Sequence, residues 1–182
     1  MNEPLVVVAV RQEAAHLRGV DVVLTGIGKV AAAVAVSAAI AERRPSFVLN
    51  VGTAGALRNG FEGAHVIGRV VEHDVDHAAL GALIGEEISG EVVIDPSSPV
   101  TLATGDAFVA DPGLRLALAA RADLVDMEGY AIARACERAG VPCRMVKVVS
   151  DTADADAGMT WQEQADRTAR EIAAVVAIQL AR

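Results

Sequence analysis

Two kinds of apolar segment alternate along this chain. Short continuous runs rich in valine, namely Leu5–Val10, Val20–Thr25, "FVLNV" (Phe47 to Val51) and "CRMVKVVS" (Cys143 to Ser150), have the length and β-branched content of strands buried on both faces. Between them lie helical patterns: a short one at Gln12–Arg18, and an Ala-rich one that follows "TGIGK" and runs to about Arg44, where Pro45 ends it. Asp111-Pro112 predicts a helix start, with aspartate as N-cap and proline at the first helical position. "MEGYAIARACERAG" predicts a helix stopped by Gly140 and Pro142. The spacing in "TWQE" (Thr160 to Glu163) is that of a capping box, opening a last helix that carries Ile172, Val175, Val176 and Leu180. A glycine-rich turn is expected at "GTAGALRNG" and a strand at His65–Glu72. From His73 to Pro99 the Gly, Ser and Pro spacing predicts hairpins and loops, with strand signals at "EVVI" and "VTLAT". The alternation predicts an α/β sheet covered on both faces, in one domain over residues 1–182.

Composition narrows the class. Hydrophobic residues make up 53% of the 182, mostly Ala, Val and Leu with few aromatics, which favours small-residue helices on a sheet over a β-sandwich. The net charge of -8 comes without acidic runs; it disperses a soluble protein and argues against a nucleic-acid surface. Cys136 and Cys143 make neither a disulfide framework nor a zinc pattern, and both read as small core residues. The first apolar run lacks a basic flank and a cleavage site, so it reads as a strand rather than a signal peptide. "VAAAVAVSAAIA" is too short to span a bilayer. A cytoplasmic protein with no membrane partner is the expectation.

In sheets of this kind ligands collect beyond the carboxyl ends of the strands. The candidates are therefore Glu13, "TGIGK", "NVGTAG", "TGDAF" and the Ser150-Asp151 pair that ends a buried run. Asp151 either caps the next helix or does chemistry. Two other patterns mislead. "GIGKVA" fits a relaxed dinucleotide fingerprint, but the next strand ends in Asn-Val-Gly instead of the acid that would hold the ribose, and Glu42 sits inside the preceding helix. "HDVDH" (His73 to His77) suggests a metal cluster, yet it lacks a fixed strand or helix spacing and reads as a solvated or interface loop.

"TGIGKVAAA", "NVGTAGAL", "TGDAF", "VDMEG" and "VVSDTAD", in this order and with Glu13 ahead of them, resemble the purine nucleoside phosphorylase / uridine phosphorylase superfamily. Within it the chain is most similar to the hydrolytic branch, the methylthioadenosine / S-adenosylhomocysteine nucleosidases. The resemblance covers nearly the whole chain and implies a single-domain α/β/α sandwich with a central mixed, largely parallel β-sheet. It also implies roles. Asp151 protonates the leaving purine, which is a poor leaving group until a ring nitrogen carries a proton. Ser150 orients that carboxylate or is a buried serine bonded to backbone. Glu128 holds the ribose hydroxyls with two acceptor oxygens, Met127 packs under the sugar, and Glu13 helps activate water. Phe108 stacks on the purine, the Val109 backbone bonds its edge, Asp106 braces the loop, and Ile27, Gly52 and Thr53 complete the substrate site. Asp154 supports the loop and Asp156 faces solvent.

The nucleophile separates the two branches. Phosphate wants backbone N–H donors and arginine. "GTAGA" offers donors at Gly52, Thr53 and Gly55, but Asn50 stands where phosphorylases of the purine type carry an arginine, leaving Arg11 and Arg58 as substitutes. The balance favours water, with no cofactor and no metal; phosphorolysis and a non-catalytic nucleoside-binding relative are the alternatives. The chain is also shorter than typical nucleosidases between its first helix and "DVVLTGIGK" and between "HDVDHAALG" and "TGDAF". In the family the second segment helps build the subunit interface and contacts the 5′ substituent. A homo-oligomer, with a dimer favoured, is still the expectation.

Overall fold

A computed structural model describes residues 3–153 and 157–181. In chain order the elements are β1 (Leu5–Val8), β2 (Val22–Leu24), α1 (Lys29–Arg43), β3 (Val48–Ala56), β4 (Ala64–Val66), β5 (Arg69–Glu72) and α2 (His77–Ile84). Then follow β6 (Glu91–Val93), β7 (Thr101–Thr104), α3 (Pro112–Ala119), β8 (Leu124–Asp126), α4 (Gly129–Ala139), β9 (Cys143–Asp151) and α5 (Ala157–Leu180). The strands form one mixed sheet in which five of the eight pairings are parallel. Alternate residues feed the two faces. Leu5, Val7 and Val48 pack under α1 and α4, whereas Val6, Val8, Leu49, Val51, Val146 and Val148 pack under α5. The α/β architecture with helices on both faces agrees with the expectation.

β3 is the axis of the sheet. Along one edge it pairs with β9 in parallel, from Val48 opposite Cys143 to Gly55 opposite Asp151. Its other edge changes partner: β1 covers Val48 to Asn50 in parallel, and β8 takes Gly55 and Ala56 antiparallel. The carboxyl ends of β1 and β8 thus face each other across an uncovered stretch of β3. "GTAGALRNG", expected as a turn, is mostly this strand, because β9 supplies a continuous ladder that glycine and threonine can join.

Several expectations need correction. Gln12–Arg18 forms turns from Arg11 to His16 instead of a helix. The strand expected at His65–Glu72 is two strands: Ile67 N–H still bonds Met145 O on β9, while Gly68 N–H already bonds Val100 O beside β7. The loop region holds α2, whose N-cap Asp76 accepts from Ala79 N–H at 2.9 Å. α5 starts at Ala157, so Thr160 lies within the helix and is not its N-cap. Asp154 and Asp156 lie outside the described residues. Cys136 is buried as expected, but Cys143, at the head of β9, is only half-buried; both are free thiols.

Gly68 is where the chain crosses between partners, and a β-carbon there would lie 1.9 Å from the Ser98 carbonyl oxygen. Backbone cannot yield as a side chain does. Gly68→Ala should therefore cost about 1–3 kcal/mol in urea unfolding, the range of core overpacking; an unchanged midpoint would contradict the crossing geometry.

Candidate active site at the β3 edge

The uncovered edge of β3 opens into a cavity of about 330 Å³. Ala9 and Val10 follow β1; Thr53, Ala54 and Gly55 come from β3; Val125 and Asp126 end β8; Ser150 and Asp151 end β9. Ile27, Phe108 and Trp161 stand at its sides. Of the residues expected in the site, Glu13, Ile27, Thr53, Phe108, Val109, Met127, Glu128, Ser150 and Asp151 all line this cavity. Gly52 does not. It faces Glu13 instead, and a β-carbon on it would stand 3.1 Å from Glu13 Oε1, so its bareness makes room for that carboxylate.

Glu13 is buried, and every polar contact it makes is with a donor. Thr53 N–H (2.7 Å) and Thr53 Oγ1 (2.8 Å) donate to Oε1, and Ala9 N–H (3.1 Å) and Val10 N–H (3.3 Å) donate to Oε2. Trp161 Nε1 donates to Thr53 Oγ1 at 3.0 Å, which leaves the hydroxyl hydrogen directed at Glu13. At the opposite wall Asp151 is held by Ser150 Oγ (2.7 Å) and by Ala153 N–H (2.8 Å). A β-carbon at Gly55 would meet Asp151 Oδ1 at 2.9 Å, so glycine lets the aspartate lie against β3. The next helix begins at Ala157, six residues on, so Asp151 is not its N-cap.

Glu128 occupies the N-cap position of α4 yet makes no capping bond of its own. Two other side chains do that work: Asp126 Oδ2 accepts from Gly129 N–H (2.9 Å), and Thr104 Oγ1 accepts from Tyr130 N–H (3.0 Å). Glu128 is thereby released toward the cavity, where Oε1 accepts from Gly28 N–H at the head of α1 (2.9 Å). Burial raises its carboxyl and the neighbouring Asp126 raises it further. Lys147 and the Gly28 N–H offset this only in part, so the group sits at about 7 instead of 4.5.

Asp126 and Lys147 went unrecognised in the sequence. Lys147 is 2% exposed, on β9, with its ammonium 2.8 Å from Asp126 Oδ2. Burial works against its charge, but Asp126 and Glu128 outweigh burial and hold its pKa above the ordinary lysine value. The available signal was a lysine inside an otherwise continuous apolar strand, which such burial requires to be paired.

The misleading patterns resolve locally. Lys29 N–H bonds Asp106 Oδ1 (2.7 Å), and the Lys29 ammonium bridges Glu72 and Asp74, so "GIGKVA" and "HDVDH" are joined in one ion-paired cluster. With Gly28 N–H on Glu128, the first donors of α1 are both taken by carboxylates. Among the described residues there is no group of three His, Cys, Asp or Glu able to hold a metal, and no helix long and apolar enough to cross a membrane.

Comparison with known proteins gives a consistent picture. The family model described as "Phosphorylase superfamily" matches residues 15–100 and 75–182. A 5'-methylthioadenosine/S-adenosylhomocysteine nucleosidase of Shewanella sp. (strain W3-18-1) is 33% identical over 173 residues, covering 79% of this chain and 73% of the relative. The solved nucleosidase of that name from Helicobacter pylori superposes with a TM-score of 0.86 at 24% identity, covering 99% of this chain and 97% of that one. Futalosine hydrolase of Helicobacter pylori has the same fold, with a TM-score of 0.86 at 24% identity and coverage of 96% and 95%.

The raised Glu128 carboxyl has a consequence for stability. The folded protein holds this proton more tightly than the unfolded chain, so stability falls as pH rises from 4.5 toward 7. Glu128→Gln keeps the acceptor for Gly28 N–H without the charge. Its melting temperature should exceed that of the parent by roughly 5 °C at pH 8 and match it at about pH 4. Calorimetry at the two pH values checks this; an equal difference at both would contradict it.

Proposed function

The chain belongs to the phosphorylase superfamily, and from that membership we propose that it is a nucleosidase, hydrolysing the N-ribosyl bond of a purine nucleoside of the 5'-methylthioadenosine or S-adenosylhomocysteine kind. The observation that carries the choice of water over phosphate is the charge of the cavity. Glu13, Glu128, Asp126 and Asp151 line it, and no lysine or arginine does among the described residues. A phosphate dianion would enter a field of like charge. Of the donors it would use, Thr53 N–H already bonds Glu13, and Gly28 and Lys29 N–H at the head of α1 bond Glu128 and Asp106. Neither arginine substitute helps. Arg58 pairs with Asp123 at 2.9 Å, Arg11 is exposed and off the lining, and Asn50 is buried within β3.

In the reaction we propose, Asp151 donates its proton to a ring nitrogen of the purine as the C1′–N bond breaks. Electron density leaves with the base, and an oxocarbenium-like ribose develops. Water adds to C1′ while Glu13 takes its proton, giving free base and ribose. Glu128 holds the ribose hydroxyls and sets negative charge beside the developing cation. Ser150 fixes the Asp151 carboxylate, Phe108 and Val109 take the base, Met127 lies under the sugar, and Ile27 and Thr53 close the sides. Phe108 is 53% exposed, as a side chain waiting for a flat ligand would be.

The working unit we propose is a homodimer in the cytoplasm. Val30 and Val34 of α1 are 74% and 65% exposed on the side opposite its buried Ala32, Val36, Ala39 and Ile40. Apolar exposure of that kind supports a face covered by a second copy. Two free thiols support a reducing compartment.

A panel of purine nucleosides with different 5′ groups, incubated with and without phosphate, tests the reading. Release of free base and ribose without phosphate is expected; strict dependence on phosphate, with ribose 1-phosphate formed, would replace hydrolysis by phosphorolysis, and binding without turnover would make this a non-catalytic relative. Asp151→Asn should lower the turnover number about 10²–10⁴-fold, the scale of a lost general acid, with nucleoside affinity largely kept. Normal turnover by that variant would remove Asp151 from its role.

A further inference from the structure

Lys147 has no obvious reason to be a lysine. It is 2% exposed, between Met145 and Val149 of the same strand face, where an apolar side chain would pack. A buried ion pair is commonly no more stabilising than apolar residues of similar volume. Its ammonium has one hydrogen-bonding partner among the described residues, Asp126 Oδ2, and that oxygen also receives Gly129 N–H. Asp126 and Gly129 bracket Glu128.

The groups around Glu128 show what the charge is for. Asp126 ends β8, Asp151 ends β9, Glu13 comes from the turn after β1, and Asp106 stands at the head of α1, so every carboxylate there is a like charge. The Gly28 N–H is a single dipole. Lys29 lies nearby, but its ammonium is turned to Glu72 and Asp74. Lys147, on β9, is left among the described residues as the cation facing the group.

We propose that Lys147 is a positioning residue for Glu128: clamped on Asp126, it holds the turn from which Glu128 projects, and its charge lets Glu128 meet the ribose hydroxyls as a carboxylate. The inference rests on the ribose-binding role proposed for Glu128. It also separates two functions in one contact. The hydrogen bond to Asp126 keeps the turn in place, whereas the charge acts through space on the neighbouring carboxyl.

Three variants of the full chain test it: Lys147→Arg keeps charge and donor, Lys147→Gln keeps a donor to Asp126 without the charge, and Lys147→Met keeps neither. Titration of the Glu128 side-chain carboxyl by carbon-13 NMR, assigned by its loss in Glu128→Gln, reads the charge without requiring turnover. Lys147→Gln and Lys147→Met should move the Glu128 midpoint up by about one pH unit or more, and Lys147→Arg by much less. The acidic limb of kcat/KM for nucleoside hydrolysis should move with it. If Lys147→Gln folds and Glu128 titrates as in the parent protein, the lysine is merely structural and the inference falls; should Lys147→Met fail to fold, the glutamine variant still decides. Absence of base release by the parent protein would overturn the nucleosidase reading instead, while the titration still judges Lys147.

Discussion

The Asp126 carboxylate is the joint on which the site depends. One oxygen receives Thr104 Oγ1 from β7, at 2.6 Å, and the other receives Gly129 N–H from α4 and the Lys147 ammonium from β9. Four elements, β7, β8, α4 and β9, are thereby fixed relative to one another. The consequence is felt one residue away. A glutamate at a helix N-terminus is ordinarily drawn to the helix's own free N–H groups. Because Asp126 and Thr104 satisfy those groups, Glu128 is free to reach a different helix and to face an open cavity. A polar network buried this deeply is tolerable because each member has a partner.

The cavity itself follows from strand lengths. β1 is four residues and β3 is nine, so β3 outruns its neighbour. β8 arrives from the opposite direction and covers only the far end. The bare stretch between them cannot be filled by a longer β1, because the chain turns away at Ala9 and Val10 to place Glu13 against Thr53. Glycines permit the approach of the acids: Gly52 makes room for Glu13 and Gly55 for Asp151. An apparently flexible glycine-rich sequence is thus a rigid strand whose missing side chains are the shape of the site.

Much of this was legible in the sequence, and the exceptions share a cause. Long valine runs, the Asp111-Pro112 start and the Gly140 stop each carry a local signal, and those elements lie where the pattern predicts. What failed depended on partners far along the chain. "GTAGA" reads as a turn until β9 is laid beside it. His65–Glu72 reads as one strand until Gly68 is seen passing from β9 to β7. α2 and the three-residue β8 are too short for periodicity to register. The acids at strand ends were found because a polar residue after an apolar run is conspicuous. Lys147 lies inside such a run and Asp126 ends a strand of only three residues, and only their juxtaposition gives either a meaning.

The three carboxylates proposed for chemistry are told apart by what donates to them, as acid and base roles in one pocket require. Asp151 is held by the Ser150 hydroxyl and the Ala153 N–H, among its contacts, and stands at the wall where the base would leave. Among the described residues Glu128 receives a single N–H, and it is crowded by Asp126, so its second oxygen is left for hydroxyl donors of a ribose. Glu13 receives three backbone N–H groups, which are fixed, and one hydroxyl, which can rotate. Trp161 N–H occupies a lone pair of that hydroxyl and so restricts where its hydrogen can point. The backbone donors therefore set the position of the proposed base, and the Thr53 hydroxyl is the one contact that can give way when a water molecule presents its own proton. A site in which the immobile donors orient and the mobile one yields can bind water without moving the carboxylate that must act on it.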